Sequence, residues 1–382
     1  MSVARNLHRE DIPTQAQFLH LVDKEAPLPF ATRTAFLLNA NARAVTPQLV
    51  EKLTEVVPSG DLFFSRSLED SELFLHTILR RGYGQLFVGG GDGTLVGVLN
   101  TLAKVTRRSG LQAPRIGVLK LGTGNAISYE MGAGNPFEDA HHIVRGGKSR
   151  AEKLDMVVCD DGTQTPFAGI GYDAAVLNDY ISLKENARSS LGKRVVETVW
   201  GYLGAIMTRS VPRSLREDAP TVRLRSNHDA YRMVAGPDGE REERIPAGEV
   251  IYEGPAPTVS VGSIPYYGYG FRMFPFARRK AGHIQVRVCA VPIFTILANL
   301  FPTIWHGRFR HPKLHDFLVR DVIVEGSRPL PYQVGGDAKG FAESLHFQAS
   351  ETPVEMVALE GQHKLRNVKA TLVGRERAPQ QA

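Results

Sequence analysis

Short apolar runs and longer amphipathic stretches alternate along the first part of the chain, and their order predicts its architecture. Strands are predicted at Ala35 to Asn39, Leu62 to Ser65, Gln85 to Val88 and Arg115 to Leu119, with helices at Pro47 to Val57, Leu68 to Arg81 and Leu95 to Arg107 between them. That alternation is the pattern of a parallel α/β sheet, in which ligands collect beyond the carboxyl ends of the strands. Asn39, Ser65, Gly89 to Thr94 and Leu121 to Asn125 all fall at such ends. From about Leu154 the pattern changes to short β-branched runs divided by Gly, Pro and Asp: Met156 to Cys159, Thr221 to Arg225, Tyr231 to Ala235, Thr258 to Gly262, His283 to Val288, Val319 to Val324 and Val354 to Ala358. These predict a mostly antiparallel second domain, with Gly236 to Gly248 as a solvated hairpin tip. The predicted division is a polar extension over 1–32 with one short helix near Gln15 to Val22, an α/β domain over 33–150, a β domain over 151–374 and a disordered tail over 375–382.

The segment Gly89-Gly90-Gly91-Asp92-Gly93-Thr94 lies between a predicted strand and a predicted helix. Glycines there allow positive φ and close backbone approach to an anion, and the helix N-terminus adds a partial positive charge. This points to a phosphate cradle and hence a nucleotide. It has no Walker-type lysine, so the charge on a transferring phosphoryl group would be met by backbone N–H groups, a metal ion, Arg43 and Lys120.

Composition narrows the classes. With 42% hydrophobic and 23% charged residues, the 382-residue chain has ordinary globular composition and is long enough for two cores. Its net charge of +6 is mild and its basic clusters are scattered, which argues against nucleic acid as a partner. Attraction to anionic lipid and a merely solvated surface explain those clusters equally well. Two cysteines, Cys159 and Cys289, are too few for a disulfide framework or zinc site and point to a reducing compartment. The polar N-terminal residues carry no apolar export signal. The longest apolar run, Ala290 to Trp305, is broken by Pro292 and Pro302 and falls short of the roughly 20 residues that span a bilayer. It is expected to be core or an interfacial patch.

The order of motifs resembles the diacylglycerol kinase catalytic family, which includes sphingosine kinases and bacterial lipid kinases and shares its phosphate loop with NAD kinases. Leu38-Asn39-Ala40-Asn41-Ala42-Arg43 is similar to the family's Asn-Pro opening loop, with Ala40 at the usual proline. Gly90-Gly91-Asp92-Gly93-Thr94 is identical to its signature, and Leu121-Gly122-Thr123-Gly124-Asn125 matches its Gly-Thr-Gly-Asn turn. Gly169-Ile-Gly171-Tyr-Asp173-Ala174 and Pro265-Tyr-Tyr-Gly268-Tyr-Gly270 look like its second-domain landmarks. Tyr332-Gln333-Val334-Gly335-Gly336-Asp337 stands where the family reads Gln-X-Asp-Gly-Glu, so Gly335 replaces its first acid. Ala281 stands where an aspartate often supports a second, structural Mg²⁺.

The resemblance implies a Rossmann-like parallel α/β lobe followed by a β-sandwich lobe, and transfer of the ATP γ-phosphoryl group to a lipid hydroxyl with Mg²⁺. It implies a cytoplasmic enzyme with no transmembrane segment, peripheral to the inner face of the membrane where its lipid substrate lies. A homodimer is compatible with it. Nucleotide contacts would fall to Asn39, Asn41, Arg43, Ser65, Gly89 to Thr94 (Gly89, Gly90, Gly91, Asp92, Gly93, Thr94) and Gly122, Thr123, Gly124 and Asn125. Asp92 would hold the metal and Asp337 would accept the hydroxyl proton, although each also suits a plain turn acid. Asp173 is either a headgroup-recognising acid or a buried acid satisfying backbone donors. The aromatic run Tyr266 to Phe276 could wall an acyl pocket or pack the sandwich. His306, His311 and His315 read as loop histidines. The alternatives are an NAD kinase-like enzyme and a family member that binds nucleotide or lipid without catalysis.

Overall fold

The computed structural model describes residues 33–172, 174, 218–236 and 239–359. The expected helix near Gln15, the expected tail from 375 and Asp173 lie outside the described residues. The chain divides into two units, one of residues 1–153 with 354–382 and one of residues 154–353.

The first unit alternates strand and helix as the apolar pattern requires: β1 (Thr34–Asn39), α1 (Pro47–Val56), β2 (Leu62–Ser65), α2 (Leu68–Arg81), β3 (Gln85–Gly90), α3 (Asp92–Ser109), β4 (Arg115–Lys120), α4 (Ala126–Glu130), α5 (Pro136–Val144) and β5 (Ser149–Leu154). β1 pairs in parallel with β2 and β3, and β3 with β4. Local chemistry fixes the helix ends. Thr46 caps α1 ahead of Pro47, the Ser67 hydroxyl accepts from Asp70 N–H at 3.1 Å, and α2 and α3 stop at Gly82 and Gly110, each with φ of 68°. Phe36, Leu38, Leu53, Phe64, Phe87 and Leu119 fill one core of this unit.

The second unit contains β6 (Val157–Cys159), β7 (Gln164–Thr165), β8 (Phe167–Gly171), β9 (Thr221–Arg225), β10 (Ala230–Gly236), β11 (Gly239–Ile245), β12 (Val250–Pro255), β13 (Thr258–Gly262), β14 (Ile284–Cys289), helix α6 (Ile293–Asn299), β15 (Leu314–Val319), β16 (Asp321–Val334) and β17 (Asp337–Ala349). They form a 12-stranded antiparallel assembly, with β8 between β13 and β16. Alternate residues face inward, and Val261, Val286, Phe317, Val322 and Phe347 belong to its core.

Four expectations need correction. The strand and helix expected to stop at Val88 and start at Leu95 reach into the glycine run, since Gly89 and Gly90 finish β3 and the helix begins at Asp92. Gly236 to Gly248 is largely strand, because β11 pairs along β10 from Gly239 to Ile245. The short strand expected at 319–324 straddles the end of β15 and the start of β16, and β16 runs on to Val334 and pairs by a hairpin with β17; Pro329 falls in the register shift between Glu325 and Leu330, while Pro331 pairs with Phe341. The last strand, β18 (Val354–Leu359), belongs to the first sheet, where Met356 pairs in parallel with Ile116 of β4. The first sheet therefore runs β2-β1-β3-β4-β18-β5. Met356 to Leu359 are all buried, as an inner parallel strand must be, but the same run would also suit an antiparallel core.

Candidate functional site

β1, β2, β3 and β4 deliver their carboxyl ends to one edge of the first sheet, and the polar residues there are held by one another. Asn39 Nδ2 donates to Thr94 Oγ1 at 2.9 Å, and Asn39 Oδ1 accepts from Asn41 N–H at 2.9 Å. Asn41 Nδ2 donates in turn to Arg66 O at 2.7 Å. Ala40 N–H donates to Ser65 O at 2.9 Å, a bond that proline at this position would lack. Ser65 itself is buried, with its hydroxyl toward Leu38 O at 3.4 Å, so its side chain supports the edge from within. Arg43 is exposed on the opening loop.

Close approach, not positive φ, explains the glycines. None of Gly89, Gly90, Gly91, Gly93 or Gly122 has a positive φ. A Cβ on Gly89 would sit 2.2 Å from Leu38 Cδ2, and one on Gly90 would sit 2.6 Å from Thr94 Cβ. The tightest place is between the two glycine turns, where a Cβ on Gly122 would meet Gly91 Cα at 2.2 Å. Gly93 differs: it is exposed, and a Cβ there would meet no protein atom within 4 Å.

Asp92 completes this joint. Its Oδ2 accepts from Ala126 N–H at 3.0 Å and its Oδ1 from Ile127 N–H at 3.3 Å, so a carboxylate from the first turn of α3 caps α4 across 34 residues of sequence. Burial pushes its carboxyl above the usual range, and backbone N–H donors oppose that shift. Asn125, at φ 55°, ties its own turn by accepting from Gly122 N–H at 3.0 Å and donating to Gly122 O at 2.6 Å. Thr123 and Gly124 lie in the same turn. Lys120 Nζ lies 4.1 Å from the centre of the Tyr129 ring, a cation–π contact. The N-terminus of α3 has Gly91 as its cap residue and no side-chain cap, leaving first-turn N–H groups for an anion.

The sequence carried Gly89 to Asn125 as motifs but not the partners of Asp92. The two N–H groups it binds belong to Ala126 and Ile127, which carry no side-chain signal.

In the second unit, Asp337 is exposed and opens β17 after the turn Gly335-Gly336. Both glycines have positive φ, 61° and 92°, which suits a two-residue hairpin turn. A Cβ on Gly335 would press Thr165 Oγ1 at 2.8 Å, which accounts physically for glycine where the family reads an acid. The turn is braced: Gly335 N–H donates to Phe167 O at 2.9 Å, Gly336 N–H to Gln333 Oε1 at 2.9 Å, and Gln333 Nε2 to Tyr267 Oη at 2.7 Å. Tyr267 packs on Phe167 with ring centres 4.3 Å apart, and Phe274 and Phe276 are buried. The aromatic run is thus largely packing. Among the described residues no group of three or more His, Cys, Asp or Glu side chains could hold a metal, and His315 lies in β15 opposite Val288 rather than in a loop.

Residues 37–158 match the diacylglycerol kinase catalytic domain, and residues 244–350 match the YegS C-terminal NAD kinase beta sandwich-like domain. No curated protein matches the chain significantly. A crystal structure of a diacylglycerol kinase from Bacillus anthracis strain Sterne is similar at 16% identity and a TM-score of 0.57, over 86% of this chain and 97% of that one. A second structure from the same organism, provisionally described as a diacylglycerol kinase, is similar at 18% identity and a TM-score of 0.57, over 84% of this chain and 94% of that one. At these identities the likeness speaks to the fold. The match over residues 37–158, with the signature Gly90 to Thr94 within it, identifies that part of the chain as a diacylglycerol kinase catalytic domain, followed by the matched sandwich-like domain.

Proposed function

We propose that this protein transfers the γ-phosphoryl group of ATP to a hydroxyl of a lipid such as diacylglycerol or a sphingoid base. The observation that supports this best is the joint between the two glycine turns, Gly91 against Gly122 with Asp92 across it, at the uncapped start of α3. The first-turn N–H groups of α3 would take phosphate oxygens, and Gly93 leaves open space for them. Asn39, Asn41, Arg43, Thr94, Thr123 and Asn125 surround the strand ends and would orient the nucleotide.

Mg²⁺ fits this donor set. Asp92 accepts from Ala126 and Ile127 N–H, with the Asn125 N–H also close, and a carboxylate oxygen so placed would still serve as one ligand of a hard cation that takes its others from phosphate oxygens and water. When bound, the ion would neutralise charge on the phosphates. Asp337 is the proposed acceptor of the hydroxyl proton as the lipid oxygen bonds to phosphorus and the bond to the ADP oxygen breaks.

The test is incubation of the full chain with radiolabelled ATP, Mg²⁺ and a panel of diacylglycerol, sphingoid base, ceramide and phosphatidylglycerol, with NAD as a soluble acceptor. Labelled lipid is the expected product. Label in NAD instead would replace the reading with an NAD kinase, and ATP binding with no product would make the chain a non-catalytic relative. Asp92→Asn and Asp337→Asn should each lose most of the turnover; a normal rate in the Asp337 variant removes it as the base.

A further inference from the structure

Beyond the buried Val291, the segment Ala290 to Trp305 is not core. No residue of α6 or of the π turn that follows it, Leu300–Ile304, is buried, and Phe294 and Phe301 are 61% and 49% exposed. Large apolar side chains held at a surface in this way mark an interaction face. Phe301 stacks on Trp305, which stacks on Phe271, with ring centres 5.8 and 5.4 Å apart. The apolar ridge is therefore a braced structure.

Beside the ridge lies a hollow of about 460 Å³ lined by Arg272, Arg278, Arg279, Arg308 and Arg310, with Glu240 as its acid. The two features are continuous: Arg272 N–H donates to Trp305 O at 3.0 Å, and Arg308 N–H to Thr303 O at 2.9 Å. Glu240 pairs with Arg310 at 2.5 Å and Glu242 with Arg279 at 3.4 Å, and among the described residues arginine is the prevailing charged side chain of the hollow's lining. Arg308 is exposed.

We propose that this ridge and basin form a docking surface for an anionic phospholipid bilayer, with Phe294 and Phe301 entering the headgroup boundary and the arginines taking lipid phosphates. Charge complementarity selects this occupant. Guanidinium groups pair bidentately with phosphate, and short apolar helices flanked by basic groups lie in the interface plane. A neutral protein partner would leave the basin unmatched. The docking goes beyond the proposed transfer reaction and does not depend on it.

The experiment is sedimentation of the full chain, without ATP, with vesicles of phosphatidylcholine alone or mixed with phosphatidylglycerol. Binding is expected only to the mixed vesicles, and it should weaken as salt rises. Arg308→Gln should lower the partition about fivefold, from roughly 1 kcal/mol per basic side chain near such a surface. Phe294→Ser should lower it further with an unchanged thermal melt, because that ring is largely exposed and not part of the stack; Phe301→Ser, which also removes the ring bracing Trp305, should lower it more. Equal binding to both vesicle types, or mixed-vesicle binding indifferent to these substitutions, overturns the proposal. So does competition by millimolar inorganic phosphate, which would indicate a soluble anion site. A lipid-free dimer that the phenylalanine variants dissociate would assign the ridge to a second copy and equally overturn it.

Discussion

At the scale of single residues, the glycines of the proposed phosphate cradle divide into two kinds with opposite expected behaviour. Gly122→Ala would drive a methyl group against the Gly91 backbone at 2.2 Å, which cannot swing aside as a side chain would. It should cost about 1–3 kcal/mol of stability and weaken ATP binding, as read by urea unfolding and nucleotide titration. Gly93→Ala meets nothing and needs no positive φ, so the fold should be unchanged or gain up to about 1 kcal/mol. Turnover should nonetheless fall if phosphate oxygens fill that space; an undiminished rate would remove Gly93 from the cradle. Asp139 supplies a pH dependence. It is fully buried in α5, with Oδ2 accepting from Gly134 N–H at 2.8 Å and Oδ1 without a partner among the described residues. Burial raises its pKa to about 6, above the ordinary value near 4. The native state then holds the proton more tightly than the unfolded chain, so stability falls as pH rises from about 4 through about 6. Asp139→Asn should flatten that slope, and equal slopes for the two proteins in urea titrations at several pH values would count against it. Asp139 does not announce itself in the sequence, whereas the two cysteines were expected to be unpaired and are; burial, aided by the charges of Asp161 and Asp160, drives the Cys159 thiol up to about 12 and leaves it inert.

At the scale of elements, strand and helix positions in the first unit were legible because period and caps agree. Leu62–Ser65 and Leu68–Arg81 fall where the apolar pattern predicts them, and Ser67 and Gly82 mark the helix ends. The start of α3 was less legible, since three glycines and an aspartate read as loop until the contacts with Gly122 and Ala126 are known. In the second unit the β16–β17 hairpin was hidden by its prolines, yet its turn carries a plain signal in Gly335-Gly336. Gly336→Val should therefore cost about 1–2 kcal/mol through backbone strain at φ 92°, whereas Gly336→Asn should be milder. Thermal melts of the two variants make the comparison, and equal losses would mean that the turn is not held in this conformation. The same substitution tests the placement of Asp337, whose position depends on that turn.

At the scale of the whole molecule, the chain leaves the first unit after Lys153 and returns to it at Val354. Residues 154–353 are contiguous and carry their own core, so that fragment should fold alone, giving cooperative unfolding by circular dichroism. Residues 33–153 should not, because without β18 the sheet loses the strand between β4 and β5 and the buried face that Val357 and Leu359 contribute. A soluble, cooperatively melting 33–153 fragment would contradict this. The motifs, the two kinds of layer and the two glycine turns were set by the sequence itself, because apolar period, caps and glycine runs are local. Only tertiary structure decided that Asp92 caps a helix 34 residues onward, that Gly91 and Gly122 touch, that the last strand joins the first sheet and that an apolar run lies exposed beside five arginines. Those facts depend on which distant backbones approach one another, and no local pattern of residues encodes that distance.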